Sequence, residues 1–153
     1  MNGPSKRSEV LGLVLRAVLG GVFVLSAVSK AVSPESFEAI LRQHQVLPAG
    51  WLRPFAYTLP WVELVSGTFL LLGLFYRVAL AAAGIQLVVF LGALLLAVGR
   101  GIDLSDCGCF AGFGWRETPA QAVVRDLVLL AMAAWLWRKR TGRFTLDRWL
   151  GGD

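Results

Sequence analysis

The chain has 153 residues, of which 56% are hydrophobic and 16% are charged, and its formal net charge is +5. Soluble domains carry roughly 45–50% apolar and about 25% charged residues, so this composition excludes an ordinary soluble domain. The mean hydropathy of +0.64 indicates a membrane protein instead.

Four apolar segments are long enough to cross a hydrocarbon core, which takes about 20 residues of helix. They lie at about 10–31, 55–75, 78–98 and 119–137. Only helices and closed barrels satisfy the backbone in lipid, and these segments do not alternate with a period of two. We therefore predict an all-α fold, a bundle of four membrane helices in a single domain over residues 1–153. The first segment contains Arg16 and is longer than a signal-peptide core, so we expect it to be retained as a span.

The stretch between the first two spans predicts a short amphipathic helix on the outer surface. Ser33 can cap this helix with Pro34 in its first turn, and Phe37, Ile40 and Leu41 then form one apolar face. We expect the helix to end by Pro48.

Ionisable residues within the spans predict a buried polar cluster. Glu63 lies in the second span and Arg125 and Asp126 lie in the fourth, each about 10–12 Å below the outer surface at 1.5 Å per residue. Lys30 ends the first span on the same side. Such residues are costly in lipid and usually pair with one another. We expect Glu63 to pair with Lys30 or Arg125, either as a structural ion pair or as a proton-handling site.

Both cysteines lie in the glycine-rich loop before the fourth span, in the stretch "DCGCFAGFG". A disulfide between Cys107 and Cys109 would close almost no loop, so its value as a structural staple is negligible. Two thiolates could instead bind a soft metal with His44 as a third ligand, although we expect His44 to be an interfacial polar residue and assign no metal site. A strained, exposed pair also suits thiol–disulfide exchange, which we favour. Asp106 adjoins Cys107 and Arg116 is closer to Cys109, which predicts that Cys109 has the lower pKa.

The distribution of basic residues predicts the topology. Eight lie on one side of a four-span arrangement, namely Lys6, Arg7, Arg77, Arg138, Lys139, Arg140, Arg143 and Arg148. Five lie on the other side, namely Lys30, Arg42, Arg53, Arg100 and Arg116. By the positive-inside rule we expect both termini in the cytoplasm and the cysteine loop on the periplasmic side of a bacterial inner membrane. The basic tail is then a topology anchor, and no nucleic-acid partner is expected.

The chain resembles the MauE group of the DoxX-like integral membrane proteins, named for methylamine utilisation. The resemblance lies in "SAVSKAVSPESF", "LPWVELVSGTFLLLG" and "DCGCFAGFG", and it extends over nearly the whole chain. It implies that Cys107 and Cys109 are the working thiols and that Lys30 and Glu63 are signature residues of the helices. It also implies a role in maturing disulfide-rich periplasmic proteins, notably the methylamine dehydrogenase light chain, beside a thioredoxin-like partner.

Together these features predict a membrane thiol–disulfide redox protein that assists disulfide formation or maturation of periplasmic proteins. The supporting cluster is Lys30, Glu63, Arg125 and Asp126, and a quinone is a candidate cofactor. Two alternatives use the same loop: transport or binding of a soft metal such as copper or mercury, and a non-catalytic assembly scaffold. The sequence leaves the client and the direction of electron flow open.

Overall fold

The computed structural model describes residues 6–45, 47–102, 109–114 and 117–139. These residues form five α-helices and no strand: α1 (Lys6–Val32), α2 (Pro34–His44), α3 (Ala49–Leu72), α4 (Tyr76–Gly99) and α5 (Pro119–Lys139). A short 3-10 turn, Ala111–Phe113, precedes α5. All the helices except α2 are long and apolar enough to cross a membrane, so the predicted fold class is confirmed.

Large apolar side chains occupy the outer surface of the bundle as well as its core. Leu19, Leu70 and Leu136 are fully buried and belong to one cluster between the long helices. Yet Val10 and Ile85 are 60% and 64% exposed, and many other large apolar side chains on the long helices point outward in the same way. In water such a surface would aggregate, whereas lipid tails are a favourable solvent for it.

Direct backbone contact joins α1 to α3, the most extensive helix pair in the bundle. A Cβ placed on Gly67 of α3 would lie 2.9 Å from the Gly20 carbonyl oxygen of α1. Glycine at the crossing lets the two helices approach closely, and close approach is what drives association in lipid, where burial of apolar surface gives little.

The second membrane helix differs from its predicted span at both ends. It begins at Ala49, six residues early, because Pro54 lies within the helix instead of before it. Thr58 Oγ1 donates to the Pro54 carbonyl at 2.8 Å, and membrane helices tolerate proline through such side-chain contacts. The helix ends at Leu72 because Gly73 takes a left-handed φ of 70°, and the N–H of Leu74 donates to the Phe69 carbonyl.

The predicted start of the last membrane helix is confirmed at Pro119. Thr118 and Gln121 bond reciprocally: the Thr118 N–H donates to Gln121 Oε1 at 3.1 Å, and the Gln121 N–H donates to Thr118 Oγ1 at 3.4 Å. This capping box satisfies two backbone donors at the point where the chain re-enters the bundle.

Helix α2 confirms the short amphipathic helix. Its apolar face packs on α3 through Phe37, which is 3% exposed and contacts the buried Ala56 and Leu59. Ser33 occupies the N-cap position but makes no side-chain cap bond, so the expected capping contact was wrong. The helix ends at His44, where Gln45 turns left-handed, and Arg100 holds this end by donating to the Gln45 carbonyl at 3.1 Å.

Candidate functional site

A buried ion pair joins α1 to α3 near the end of the bundle that carries α2. Lys30 and Glu63 are 1% and 2% exposed, and Lys30 Nζ lies 2.8 and 2.9 Å from the two carboxylate oxygens. Ser26, one helical turn before Lys30, accepts a third hydrogen bond from Nζ at 2.5 Å. The prediction that Glu63 pairs with Lys30 or Arg125 is confirmed for Lys30.

Aromatic rings complete the surroundings of the lysine. Its ammonium nitrogen lies 5.3 Å from the ring centroid of Phe37 on α2 and 5.1 Å from that of Phe90 on α4. Ring faces carry partial negative charge and attract a cation, most strongly where water is excluded. Lys30 therefore contacts α2, α3 and α4 from its place on α1.

A second charged group surrounds Arg125 on α5. Its Nε and Nη2 donate to Asp126 Oδ1 at 3.1 and 3.0 Å, and its Nη1 donates to Glu117 Oε2. The Phe110 ring lies 5.4 Å from the guanidinium carbon. Nη2 also donates to the sulfur of Cys109, with a donor–acceptor distance of 3.0 Å. The guanidinium thus links the last membrane helix to the cysteine loop.

The loop after Cys109 packs directly on the end of α1. The Gly112 N–H donates to Ser29 Oγ at 3.0 Å, and a Cβ at Gly112 would lie 1.9 Å from the Ser29 carbonyl oxygen. Only glycine permits this approach. The contact fixes the short turn that follows Cys109, so the sulfur is held over the charged residues instead of extending into solvent.

The other half of the cysteine pair lies outside the described residues. These omit residues 103–108 and 115–116, and therefore Asp106, Cys107 and Arg116. The predicted exchange between the two thiols accordingly stays a prediction, as does the effect of the neighbouring charges.

The prediction that Cys109 has the lower pKa of the two thiols stays a prediction, because Cys107 lies outside the described residues. Cys109 is partly buried, and removal of its sulfur from water raises the pKa of the thiol. The cations of Lys30 and Arg125 oppose this shift but do not overcome it. The sequence shows which charged residues neighbour Cys109, but it does not show that the thiol is buried. That burial depends on the packing of Gly112 against α1.

Two cavities meet at Cys109. The larger, about 140 Å³, lies between α2, α4 and α5 and has an almost wholly apolar wall. Its polar side chains are Lys30, His44, Cys109, Arg125 and Asp126. The smaller, about 20 Å³, is lined by Ser26, Glu63, Cys109, Arg125 and Asp126, among others. A volume of that size holds about one water molecule.

The structure therefore brings the four predicted cluster residues together around Cys109 as two ion pairs. Sequence reasoning missed Ser26, Phe90 and Glu117, which complete the two pairs. The four-residue spacing of Ser26 and Lys30 could have identified the first of these, whereas Phe90 and Glu117 depend on tertiary packing.

His44, the suggested third metal ligand, is buried beside the larger cavity, and its Nδ1 lies 2.8 Å from the Ile40 carbonyl. Among the described residues, no three His, Cys, Asp or Glu side chains are grouped so as to hold a metal ion.

Comparison with known proteins supplies a family. The family model for methylamine utilisation protein MauE matches residues 8–139. The methylamine utilization protein MauE of Paracoccus denitrificans is 37% identical over 119 residues, which are 78% of this chain and 64% of that protein. That of Methylorubrum extorquens is 32% identical over 125 residues, or 82% of this chain and 67% of the relative. The chain thus spans about two thirds of the length of these curated relatives. No solved structure matches it significantly.

Proposed function

This chain belongs to the MauE family, and we propose that it is a membrane thiol–disulfide redox protein acting through Cys107 and Cys109. In this role it assists disulfide formation or maturation of periplasmic proteins, together with a thioredoxin-like partner. The relatives are named for methylamine utilisation, which makes a disulfide-rich protein of that metabolism a candidate client.

One observation carries the proposal: the sulfur of Cys109 is 3.0 Å from the Arg125 guanidinium, above two buried ion pairs. A structural cysteine needs no such neighbours, since buried cysteine behaves as a small apolar side chain. A thiol that cycles between S–H, thiolate and disulfide does need them, because a nearby cation stabilises the thiolate that forms during exchange.

Burial divides the roles of the two thiols. The raised pKa of Cys109 makes it a poor first nucleophile, so Cys107 is assigned the mixed disulfide with a partner, and Cys109 is the sulfur that resolves that bond by closing on Cys107. When the pair is oxidised, a thiolate of the partner opens the Cys107–Cys109 bond and forms a mixed disulfide with Cys107. A second partner thiolate then displaces Cys107. The partner gains the disulfide, and this chain keeps two thiols.

Trapping tests the assignment. In Cys109→Ser the reduced Cys107 has no resolving partner, so cells should accumulate a mixed disulfide between this chain and a thioredoxin-like protein or its client. Cys107→Ser should trap nothing and is the matched control, since it also retains one thiol. If both single variants mature the client as well as the wild type does, the loop is not a redox centre.

A metal titration separates the soft-metal alternative. A carrier of copper or mercury should bind the ion stoichiometrically before the thiols are alkylated and should bind none after alkylation. Its single cysteine variants should trap no partner. A redox protein should give the opposite pattern. The scaffold alternative predicts neither metal binding nor trapping.

The proposal also requires the cysteine loop to face the periplasm, as the basic residues predict. An impermeant thiol reagent should label the reduced loop in intact spheroplasts. Labelling that appears only after lysis would reverse the topology and remove the proposed clients.

A further inference from the structure

We propose that the larger cavity binds the ring of a lipid-soluble quinone, which accepts the electrons of the cysteine pair. This inference rests on the proposed function and names the electron acceptor of the same site. A protein that supplies disulfides must pass on two electrons for each one formed, and among the described residues no second cysteine pair could receive them.

The volume of the cavity suits one six-membered ring. It measures about 140 Å³. An engineered apolar cavity of about 150 Å³ is known to admit benzene, so a quinone ring is of the right order of size. Phe37, Phe55 and Phe90 contribute aromatic walls against which a flat ring can pack.

Polar groups converge on this apolar cavity, and they argue against a lipid tail as its occupant. A hydrocarbon chain gains nothing from charged groups. A quinone, in contrast, carries two carbonyl oxygens that accept hydrogen bonds and, once reduced, two hydroxyl groups that donate them. Arg125 can donate to a carbonyl oxygen, His44 on a different wall can accept from a quinol hydroxyl, and Cys109 lines the same cavity.

His44 is prepared to receive a hydroxyl group. Its Nδ1 is paired with the Ile40 carbonyl, which can only accept, so this nitrogen carries the proton. In the neutral ring Nε2 is then a bare acceptor, since the hydrogen bond to Ile40 occupies Nδ1. The tautomer therefore favours a quinol hydroxyl as its ligand.

Val89 of α4 lines the cavity and is also 54% exposed, so the cavity lies directly behind the outer surface of the bundle at this residue. A quinone can place its ring inside and leave its apolar tail in the membrane.

The redox step balances without outside protons. The S–H bonds of Cys107 and Cys109 break and one S–S bond forms, which releases two electrons and two protons. The quinone takes up both electrons and both protons, and its two C=O groups become C–OH groups. The quinol then leaves to the bilayer.

Protection from alkylation tests the site without altering the cavity. The Cys107→Ser chain, in phosphatidylcholine nanodiscs, carries Cys109 as its only thiol. Saturating decylubiquinone should slow the reaction of Cys109 with a maleimide at least fivefold. The ubiquinone ring is fully substituted, so it offers the thiol no unsubstituted ring carbon for addition. Decylbenzene, which has a ring and tail but no carbonyl groups, should protect less than twofold. Equal protection by decylbenzene would assign the cavity to lipid tails and overturn the proposal.

A filled cavity provides the second measurement. Ala93 lines the cavity, and Ala93→Phe should weaken decylubiquinone binding at least tenfold. Ala134→Phe is the matched control, because Ala134 is exposed on α5, and it should change binding less than twofold. Unchanged binding in Ala93→Phe would contradict the location.

Turnover separates this inference from the proposed function. The reduced wild type should convert decylubiquinone to quinol anaerobically, one per chain, and Cys109→Ser should convert none. If quinone binds but stays oxidised, it is not the electron acceptor of the cysteine pair. A trapped partner without quinone protection would refute only this inference, whereas protection without any trapped partner would refute only the proposed function.

Discussion

Replacing Lys30 with methionine tests whether the buried pair with Glu63 acts as one neutral unit. The substitution keeps most of the side-chain volume but removes the ammonium that makes three hydrogen bonds, two to the carboxylate and one to Ser26. Both side chains are almost fully buried, so Glu63 is left in the bundle without a counter-charge. Breaking a buried pair in this way costs about 3–5 kcal/mol.

Protonation sets a ceiling on that cost. At pH 7, neutralising a glutamate costs about 3.7 kcal/mol, because its reference pKa is about 4.3 and each pH unit is worth about 1.36 kcal/mol. We therefore expect Lys30→Met to lower the free energy of unfolding by about 3–4 kcal/mol at pH 7. At pH 5 the same neutralisation costs roughly 1 kcal/mol, so the deficit should shrink as the pH falls.

The assay is titration of the detergent-solubilised protein with SDS, followed by tryptophan fluorescence at both pH values. Adding Glu63→Met to Lys30→Met should bring stability back to within about 1 kcal/mol of the wild type, since apolar replacement of a whole buried pair is often neutral. Arg53→Met, at an exposed cation, is the control and should change stability by about 0.5 kcal/mol or less. If the double variant is no more stable than Lys30→Met, the pair is not a unit and the reasoning fails.

Three further predictions concern the helix crossing and the thiol. Gly67→Ala should lower the free energy of unfolding by about 1–3 kcal/mol, because the added methyl overpacks against α1. Gly84→Ala is the control and should leave stability unchanged, because the space around Gly84 is open. Equal effects of the two substitutions in SDS titration would contradict the close crossing. Gly112→Ala should displace the cysteine loop from α1 and speed alkylation of Cys109, measured with Cys107 replaced by serine; an unchanged rate would mean that the contact does not hold the loop. In the same serine background, the thiolate-dependent alkylation rate should rise at higher pH in the folded protein than in the SDS-unfolded chain, because burial raises the pKa of Cys109. A folded midpoint at or below the unfolded one would refute that direction.

The sequence predicted those parts of the fold that depend on local chemistry. Length and apolarity identified the four spans, including the start of α5 at Pro119, and the Ser33–Pro34 pair marked the start of α2. The early start of α3 was missed because a proline usually precedes a helix. In the bundle, Pro54 sits inside the helix, and Thr58 bonds to its carbonyl.

The sequence predicted which charged residues belong to the candidate site, but not which of them pair with one another. Depth along each span was enough to group Lys30, Glu63, Arg125 and Asp126 on one level of the bundle. The choice of Lys30 over Arg125 as the partner of Glu63 follows from the close crossing of α1 and α3, which no single span reveals. The raised pKa of Cys109 likewise follows from the packing of the loop against α1 and not from the residues that neighbour it in sequence.

The position of Lys30 has a consequence for biogenesis. Helix α1 is synthesised before α3, so until α3 arrives Lys30 lacks the counter-charge of Glu63, and its long side chain can keep the ammonium among the lipid headgroups. Arrival of α3 brings Glu63, which lets the end of α1 settle to its final depth beside Phe37, and Phe90 covers the neutralised pair once α4 has followed. A nascent chain halted after α2 should therefore hold α1 loosely, and release of α3 is the step that commits the first helix to the bilayer.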